Sequence, residues 1–299
     1  MIQASANLET LKKALIDEVQ KALGFSPAGW IHKLIEPWIE RPCLKFAEIG
    51  SKFDALVASY GFTEAARQIL PHFVNSVQAK GIENIPNSGP LLITSNHPGT
   101  YDSLVIASNV PRDDLKIIAG NIPFLRNLPA TQNYMIHTTL DTHDRMTVLR
   151  KAIRHLKSGG SVLIFGTGGI DPEPASMPGV EAEIEKWSPS IELLLRKVPQ
   201  AKAMATIVSG VLSPKFLQHP FTFFRSERRD KQRISEMMQV ISQMLSPGQL
   251  SLIPRVSFAT PLSTDEALST GNPSILSALV ERGKQLLGDH LSWSQSVGI

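Results

Sequence analysis

Residues 91–108 read "LLITSNHPGTYDSLVIAS", and this stretch decides the fold class. The five residues 91–95 form an apolar run that predicts a buried strand. Proline and glycine in "NHPGT" predict a turn after it. The next segment, "YDSLVIAS", predicts a helix with Thr100 as its N-cap. A strand followed by a turn and a helix is the repeating unit of α/β folds.

Five further apolar runs along the chain have the length and composition of strands. They are "KIIA" (116–119), "YMIH" (134–137), "SVLIFG" (161–166), "AMATIVSG" (203–210) and "LIPRVSFA" (252–259). Helical patterns lie between several of them, such as residues 145–160, which end on glycines. We therefore predict an α/β fold with a mixed, mostly parallel sheet flanked by helices.

The first 80 residues have a different pattern. Leu11, Leu15, Val19 and Leu23 recur at helical spacing. Trp30, Leu34 and Trp38 lie near one face of a second helical pattern, which Pro37 interrupts. No strand pattern appears before residue 90. The predicted organisation is a helical N-terminal region (1–80) and an α/β domain (81–299).

Composition narrows the function classes. The chain has 299 residues, 42% of them hydrophobic, with a formal net charge of +3, which predicts a globular protein and no nucleic-acid partner. Cys43 is the single cysteine, so an intrachain disulfide is ruled out. The N-terminus lacks a signal-peptide pattern. No apolar stretch approaches the ~20 residues that span a bilayer. We expect a cytoplasmic protein, either soluble or peripheral on the inner face of the membrane, whose oligomeric state the sequence leaves open.

His97 and Asp102 are separated by a spacing that has a structural consequence. Five positions on a helix turn by about 500°, so the two side chains would not share a helical face. They can meet only if His97 lies on the turn and Asp102 in the first turn of the helix. There the aspartate could orient the histidine as a general base. The alternative is structural, with His97 in a turn and Asp102 capping a helix.

The stretch "GIENIPNSGPLLITSNHPGTYDS" (81–103) resembles the glycerophospholipid acyltransferase family, which includes the lysophosphatidate and glycerol-3-phosphate acyltransferases. Asn96, His97 and Asp102 match its N-H-x-x-x-x-D motif. A Gly-x-x-x-x-Pro approach from Gly81 to Pro86 precedes that motif, as in the family. The resemblance extends over roughly residues 80–215.

The resemblance implies an activity and a set of roles. His97 would deprotonate an acceptor hydroxyl, Asp102 would orient His97, and Asn96 would belong to the substrate-binding residues. The donor would be acyl-CoA or acyl-carrier protein, and the acceptor a lysophospholipid-like lipid. Because a thioester is already activated, we expect no metal or organic cofactor. The same family with a different acceptor, and a lipid-binding protein without catalysis, are the alternatives.

One family block is altered. Where the family has Phe-Pro-Glu-Gly-Thr-Arg, this chain reads "FGTGGI" (165–170), which lacks the glutamate and arginine that contribute to glycerol phosphate binding in the family. Gly166, Gly168 and Gly169 could offer backbone N–H groups to an anion, or form only a tight turn. Gly166, Thr167 and Gly168 are accordingly candidate substrate-binding residues. Arg126 and Arg145 are the nearby candidates for an anionic head group; each could equally be a surface charge.

Two other clusters invite an interpretation. His137, Asp141, His143 and Asp144 match no metal-ligand spacing, so we predict no metal site there. In "FTFFRSERRDKQR" (221–233), aromatic residues beside basic ones suit a membrane surface. Core phenylalanines followed by a solvated helix start are the alternative explanation of this segment.

Overall fold

The structure is a computed structural model that describes residues 6–24, 30–138, 142–269 and 271–297, without the side chains of residues 30–35 and 142–145. The helices are α1 Leu8–Ala22, α2 Trp30–Tyr60, α3 Phe62–Ile69, α4 Asp102–Ala107, α5 Pro123–Arg126, α6 Thr142–Lys157, α7 Val180–Ile184, α8 Pro189–Lys197, α9 Pro214–Leu217, α10 Arg228–Leu245, α11 Thr264–Ser269 and α12 Ile275–Ser296. The strands are β1 Gln78–Lys80, β2 Leu91–Ser95, β3 Leu115–Gly120, β4 Met135–Thr138, β5 Ser161–Phe165, β6 Lys202–Ser209 and β7 Arg255–Phe258.

The seven strands form one sheet in the order β1-β7-β6-β2-β5-β3-β4. Neighbouring strands pair in parallel except β6 and β7, which are antiparallel. The predicted α/β class with a mixed, mostly parallel sheet is confirmed. All six apolar runs contain a strand. β2, β5, β6 and β7 are buried along nearly their whole length, as expected for strands inside a sheet, whereas the edge strand β4 is only partly buried.

Strand β1 is the exception to the sequence prediction. Its three residues, "QAK", are only partly buried and carry no apolar pattern. It forms because its backbone pairs with β7, with Gln78 opposite Arg255. The prediction that no strand precedes residue 90 was therefore wrong.

Strand β2 lies between β5 and β6, and all five of its residues are buried. Helices α6, α8 and α12 pack against the sheet, and their apolar residues belong to one core cluster with residues of the strands. Trp187, Leu194 and Leu279 are among its fully packed residues. In open parallel sheets, ligands bind beyond the carboxyl ends of the strands. The loops after β2 and β5 are therefore where a site is expected.

The chain divides into two compact units. The sheet unit comprises residues 77–121, 134–211 and 253–299, and the helical unit comprises 1–76, 122–133 and 212–252. The predicted boundary at residue 80 lies near the first junction, after Ser76. Two later segments also belong to the helical unit. A prediction with one domain boundary could not assign these two segments to the helical unit, because they are distant in the sequence from its first 76 residues.

In the helical unit, α2 packs on α1, α3 and α10. The helix continues through both Pro37 and Pro42, so the predicted interruption at Pro37 does not occur. A proline removes one backbone donor, and the packing of α2 on three other helices offsets that loss. Within the described residues, no helix is long and apolar enough to cross a membrane.

Candidate active site

The turn between β2 and α4 presents His97. Strand β2 ends at Ser95, and α4 begins at Asp102. The N-cap is Tyr101, which makes no side-chain cap bond, so the prediction of Thr100 as N-cap was wrong by one residue. The chain thus bends between the two motif residues, as their spacing requires.

His97 and Asp102 form a hydrogen-bonded pair. Nδ1 of His97 lies 2.6 Å from Oδ2 of Asp102. The same oxygen accepts the backbone N–H of Gly99 at 3.2 Å. The aspartate side chain is 1% exposed and the histidine side chain 30% exposed. Because a carboxylate only accepts hydrogen bonds, the shared proton lies on Nδ1, which makes Nε2 the basic nitrogen of the ring.

The ring of Phe165 supports the histidine from one side. The two rings stack with centroids 4.3 Å apart and an interplanar angle of 23°. Phe165 ends β5 and lies opposite Ser95 in the parallel register. The register of two buried strands therefore places a flat apolar surface beside the imidazole.

Asp171 holds the backbone of His97. Its Oδ2 accepts the N–H of His97 at 2.9 Å, and its own N–H donates to the carbonyl of His97 at 2.8 Å. Its other oxygen, Oδ1, accepts the Thr167 hydroxyl at 2.6 Å. Burial raises the pKa of this carboxyl, while the bonds from Thr167 and His97 act in the opposite direction. The loop after β5 is thus joined to the turn after β2.

Asn96 has its amide turned into the sheet. Its Oδ1 accepts the N–H of Val208 at 2.8 Å, and its Nδ2 donates to the carbonyl of Val208 at 2.9 Å. The residue is buried. The side chain therefore continues the pairing of β2 with β6 beyond the end of the strand. That geometry positions the turn, whereas the sequence had suggested substrate contact.

The glycine loop after β5 uses its backbone donors internally. The N–H groups of Gly166, Gly168 and Gly169 donate to Ser95 O, Phe165 O and Thr167 Oγ1, respectively. An anion would have to displace these bonds, so the geometry favours the tight turn over the predicted anion cradle. Gly168 has a φ of +69°, and a Cβ on Gly166 would lie 2.1 Å from Cδ1 of Trp187. Both positions therefore require glycine.

The two arginine candidates lie on α5 and α6. Arg126 ends α5 in the helical unit and is exposed. Arg145 begins the second turn of α6, and its side chain lies outside the described residues. A role for either in binding a head group stays a prediction.

A second buried carboxylate stabilises the loop that follows. Glu173 accepts backbone N–H groups from Gly210, Val211 and Ala175 at 2.7, 3.1 and 3.1 Å. These bonds tie residues 171–175 to the end of β6. Asp171 and Glu173 thus both accept backbone N–H groups of turns.

The group His137, Asp141, His143 and Asp144, for which the sequence predicted no metal site, lies largely outside the described residues. Nδ1 of His137 lies 3.3 Å from the carbonyl of Gly120. The side chains of Asp141, His143 and Asp144 lie outside the described residues. Among the side chains that are described, no three of His, Cys, Asp or Glu are grouped so as to hold a metal ion.

The site and the motif lie inside a segment with a recognised family. Residues 76–183 match the family model described as Acyltransferase. This match supports the acyltransferase family predicted from the N-H-x-x-x-x-D motif. No curated protein matches the chain.

Among solved structures, the chain is similar to the crystal structure of the 1-acyl-sn-glycerophosphate (LPA) acyltransferase PlsC from Thermotoga maritima. The sequences are 14% identical, the alignment covers 97% of each chain, and the TM-score is 0.44.

Sequence reasoning missed the roles of Phe165 and Asp171 beside His97. Phe165 entered the sequence comparison only as the matching first residue of the altered family block. The signal available for Phe165 was its place at the end of a predicted strand, since carboxyl ends of parallel strands meet at one sheet edge. For Asp171 no sequence signal specifies that its partner is the backbone of His97.

Proposed function

We propose that this protein transfers a fatty acyl group from a thioester donor, acyl-CoA or acyl-carrier protein, to a hydroxyl of a lysophospholipid-like acceptor. The observation that carries the proposal is the 2.6 Å bond between Nδ1 of His97 and the buried Asp102. It lies within the segment of the acyltransferase family. A partly exposed imidazole oriented by a buried carboxylate suits a general base that must meet a substrate.

In the proposed mechanism, Nε2 of His97 takes the proton from the acceptor hydroxyl as its oxygen attacks the thioester carbonyl carbon. The imidazolium that forms keeps its Nδ1–H bond to Asp102, which stabilises the positive charge. When the tetrahedral intermediate collapses, the carbon–sulfur bond breaks, and the proton on Nε2 passes to the departing thiolate. The products are an ester and a free thiol, and His97 is again neutral.

The oxyanion of that intermediate needs hydrogen-bond donors. The N–H of His97 donates to Asp171 and the N–H of Gly99 donates to Asp102, while Pro98 has none. Donors for the oxyanion therefore have to come from outside residues 97–99.

The acceptor is the less constrained half of the reaction. A small phosphorylated polyol depends on charge-assisted bonds to its phosphate, and "FGTGGI" lacks the charged side chains of the family block. An acceptor that already carries an acyl chain gains ~0.8 kcal/mol for each buried CH₂. We therefore propose that lysolipids exceed glycerol 3-phosphate in kcat/KM. No metal or organic cofactor is part of the proposal.

The test is an acylation assay with labelled acyl-CoA and acyl-carrier protein against glycerol 3-phosphate and a panel of lysolipids, read by mass spectrometry. His97→Ala is expected to lower kcat by ~10²–10⁴-fold. The control is His72→Ala, an exposed histidine of the helical unit, which should retain full activity. Wild-type turnover by His97→Ala would refute the mechanism. A preference for glycerol 3-phosphate would refute the acceptor class, and lysolipid binding without transfer by the wild-type protein would favour a lipid-binding protein.

A further inference from the structure

Three phenylalanines project into solvent from one short turn. Phe221, Phe223 and Phe224 lie on the 3-10 helix Pro220–Phe224 and are 64%, 71% and 84% exposed. The nearby Phe216 is buried. The sequence alternative that made the 221–224 phenylalanines core residues was therefore wrong. Exposed aromatic rings grouped within four residues form a candidate interaction surface.

The turn is held so that its rings face outward. Thr222 is buried, and its hydroxyl donates to the carbonyls of His219 and Leu217 at 2.7 and 3.2 Å. Residues three apart lie above one another on a 3-10 helix, and the rings of Phe221 and Phe224 have centroids 6.3 Å apart. The ring of His219 stacks on Phe221 at 5.6 Å. The aromatic surface is thus presented by an anchored backbone.

Basic residues flank this aromatic turn. Residues 215–233 include six lysines and arginines and two acidic residues, which gives this segment a formal net charge of +4. The whole chain has a formal net charge of +3. Arg225 donates to the carbonyl of Leu23 at 3.0 Å, which ties the turn to the end of α1. Arg229 and Arg233 are exposed in the first turns of α10. The aromatic rings and the positive charges therefore belong to one stretch of the surface.

We propose that this aromatic–basic surface, residues 215–233, docks on an anionic lipid bilayer. Aromatic rings enter the interface between headgroups and acyl chains, while lysine and arginine meet the anionic headgroups. The inference deepens the proposed function, since a lipid acceptor would be taken from such a surface. The binding itself can be measured without turnover.

Two other partners fit the observations less well. In a two-fold dimer through this surface, the six basic residues would face the same six on the partner copy, which repels. Single-stranded RNA needs aromatic platforms spread along a basic groove, whereas these three rings are confined to four residues of one turn. Charge and shape together favour an anionic lipid surface.

The test compares binding of the full chain to two kinds of sedimented vesicle. One contains phosphatidylcholine with roughly 30% phosphatidylglycerol, which gives the anionic surface that attracts basic segments. The other contains phosphatidylcholine alone. We expect binding to the anionic vesicles that weakens with added salt. Replacing Phe221, Phe223 and Phe224 together by serine should lower the partition coefficient on the order of 10²-fold. Arg229→Gln with Arg233→Gln should lower it by roughly tenfold.

Matched controls separate this surface from general stickiness. Tyr60→Ser removes an equally exposed aromatic ring elsewhere in the helical unit, and Lys151→Gln with Lys157→Gln removes two exposed charges from α6. Both controls should bind as the wild-type protein does. Because its three substituted positions are exposed, the serine variant should fold normally. Circular dichroism and the melting temperature check this.

Several results would overturn the proposal. The wild-type protein could fail to bind anionic vesicles, or the serine variant could bind them as well as the wild-type protein does. The phenylalanines could instead be needed for binding of poly-uridylate, with no binding to vesicles. Light scattering could also show a dimer that the serine substitutions dissociate. A short-chain lysolipid below its micellar concentration distinguishes the two proposals. With it, the serine variant should turn over normally, while His97→Ala should bind vesicles but not react.

Discussion

Asp171 and His97 are 74 residues apart in the sequence and bonded through both backbone groups of the histidine. The carboxylate accepts the histidine N–H at 2.9 Å, and the aspartate N–H donates to the histidine carbonyl at 2.8 Å. Neither bond involves the imidazole. Asp171 therefore acts on the orientation of the ring through the backbone that carries it, and its negative charge lies close to the ring.

Asp171→Asn is expected to lower kcat by roughly 10–100-fold with little change in KM for the acyl donor, since small misplacements of a reacting group are costly. Loss of the negative charge also makes protonated His97 less favourable. The acidic limb of the pH–rate profile should therefore move to lower pH. Steady-state kinetics between pH 5 and pH 9 (roughly the range in which a histidine titrates) measures both effects.

The control for this variant is Glu173→Gln, which changes a second buried carboxylate in the same loop. Glu173 accepts the N–H groups of Gly210 and Val211 just after β6, whereas Asp171 accepts the N–H of His97. The control variant should lower the melting temperature and leave the acidic limb where it is. An equal shift of the limb in both variants, or no shift in Asp171→Asn, would make Asp171 a structural residue only.

Asp102→Asn tests whether the motif aspartate is more than a helix-terminal residue. We expect kcat to fall by about 10³-fold or more, because an amide can donate to Nδ1 and thereby favours the wrong tautomer of His97. Loss of a terminal hydrogen bond alone costs ~0.5–2 kcal/mol of stability. Activity and melting temperature are measured on the same sample. Full activity with a lowered melting temperature would contradict the orienting role.

The sheet could be predicted from the sequence because its buried strands are continuous apolar runs. Leu91–Ser95 and Lys202–Ser209 are nearly or entirely buried, and their composition shows it. Strand β1 was missed since its three residues form a strand only by pairing with β7. The return of residues 212–252 to the helical unit was missed for a related reason. Such features depend on contacts between distant segments, and local patterns do not encode them.

The candidate site shows the same limit. The bend between His97 and Asp102 could be predicted from Pro98 and Gly99, and the spacing showed that the two side chains need this bend in order to meet. The hydrogen-bond partners of individual backbone donors could not be predicted in this way. In the sequence, Gly166 and Gly168 resemble an anion-binding loop, whereas in the structure their N–H groups donate to the carbonyls of Ser95 and Phe165. Whether a polar group faces a substrate or the protein depends on neighbours that the register of the sheet supplies.

Gly166→Ala is expected to destabilise the fold. The added Cβ would lie 2.1 Å from Cδ1 of Trp187, whose buried ring packs in the core cluster. Overpacking of this kind typically costs ~1–3 kcal/mol. The matched control is Gly288→Ala in α12, where the added Cβ meets nothing within 4 Å and the helix should gain up to ~1 kcal/mol. Urea unfolding of both variants should give opposite signs; two small changes of the same sign would mean that Trp187 moves aside easily.

The last prediction concerns the pH dependence of stability through His290. Its imidazole is fully buried, with Nε2 2.7 Å from the Ser209 hydroxyl and Nδ1 2.7 Å from that of Ser257. Burial, with smaller contributions from Arg255 and Lys80, lowers its pKa from 6.5 to about 4. Below pH 6.5 the unfolded chain therefore binds a proton that the folded chain does not. Stability from this residue is complete above pH 6.5 and falls as the pH is lowered toward 4, by on the order of 3 kcal/mol.

The measurement compares the free energy of unfolding in urea at pH 7 and pH 5 for the wild-type protein and His290→Asn. Asparagine keeps one donor and one acceptor but cannot take up the proton. Glu18, whose pKa burial raises to about 6, and Asp171, whose pKa burial also raises, act in the opposite direction in both proteins. The difference between the two proteins therefore isolates His290. The wild-type protein should lose more stability than the variant on acidification, and equal losses would mean that His290 is already protonated, or reached by water, in the folded state.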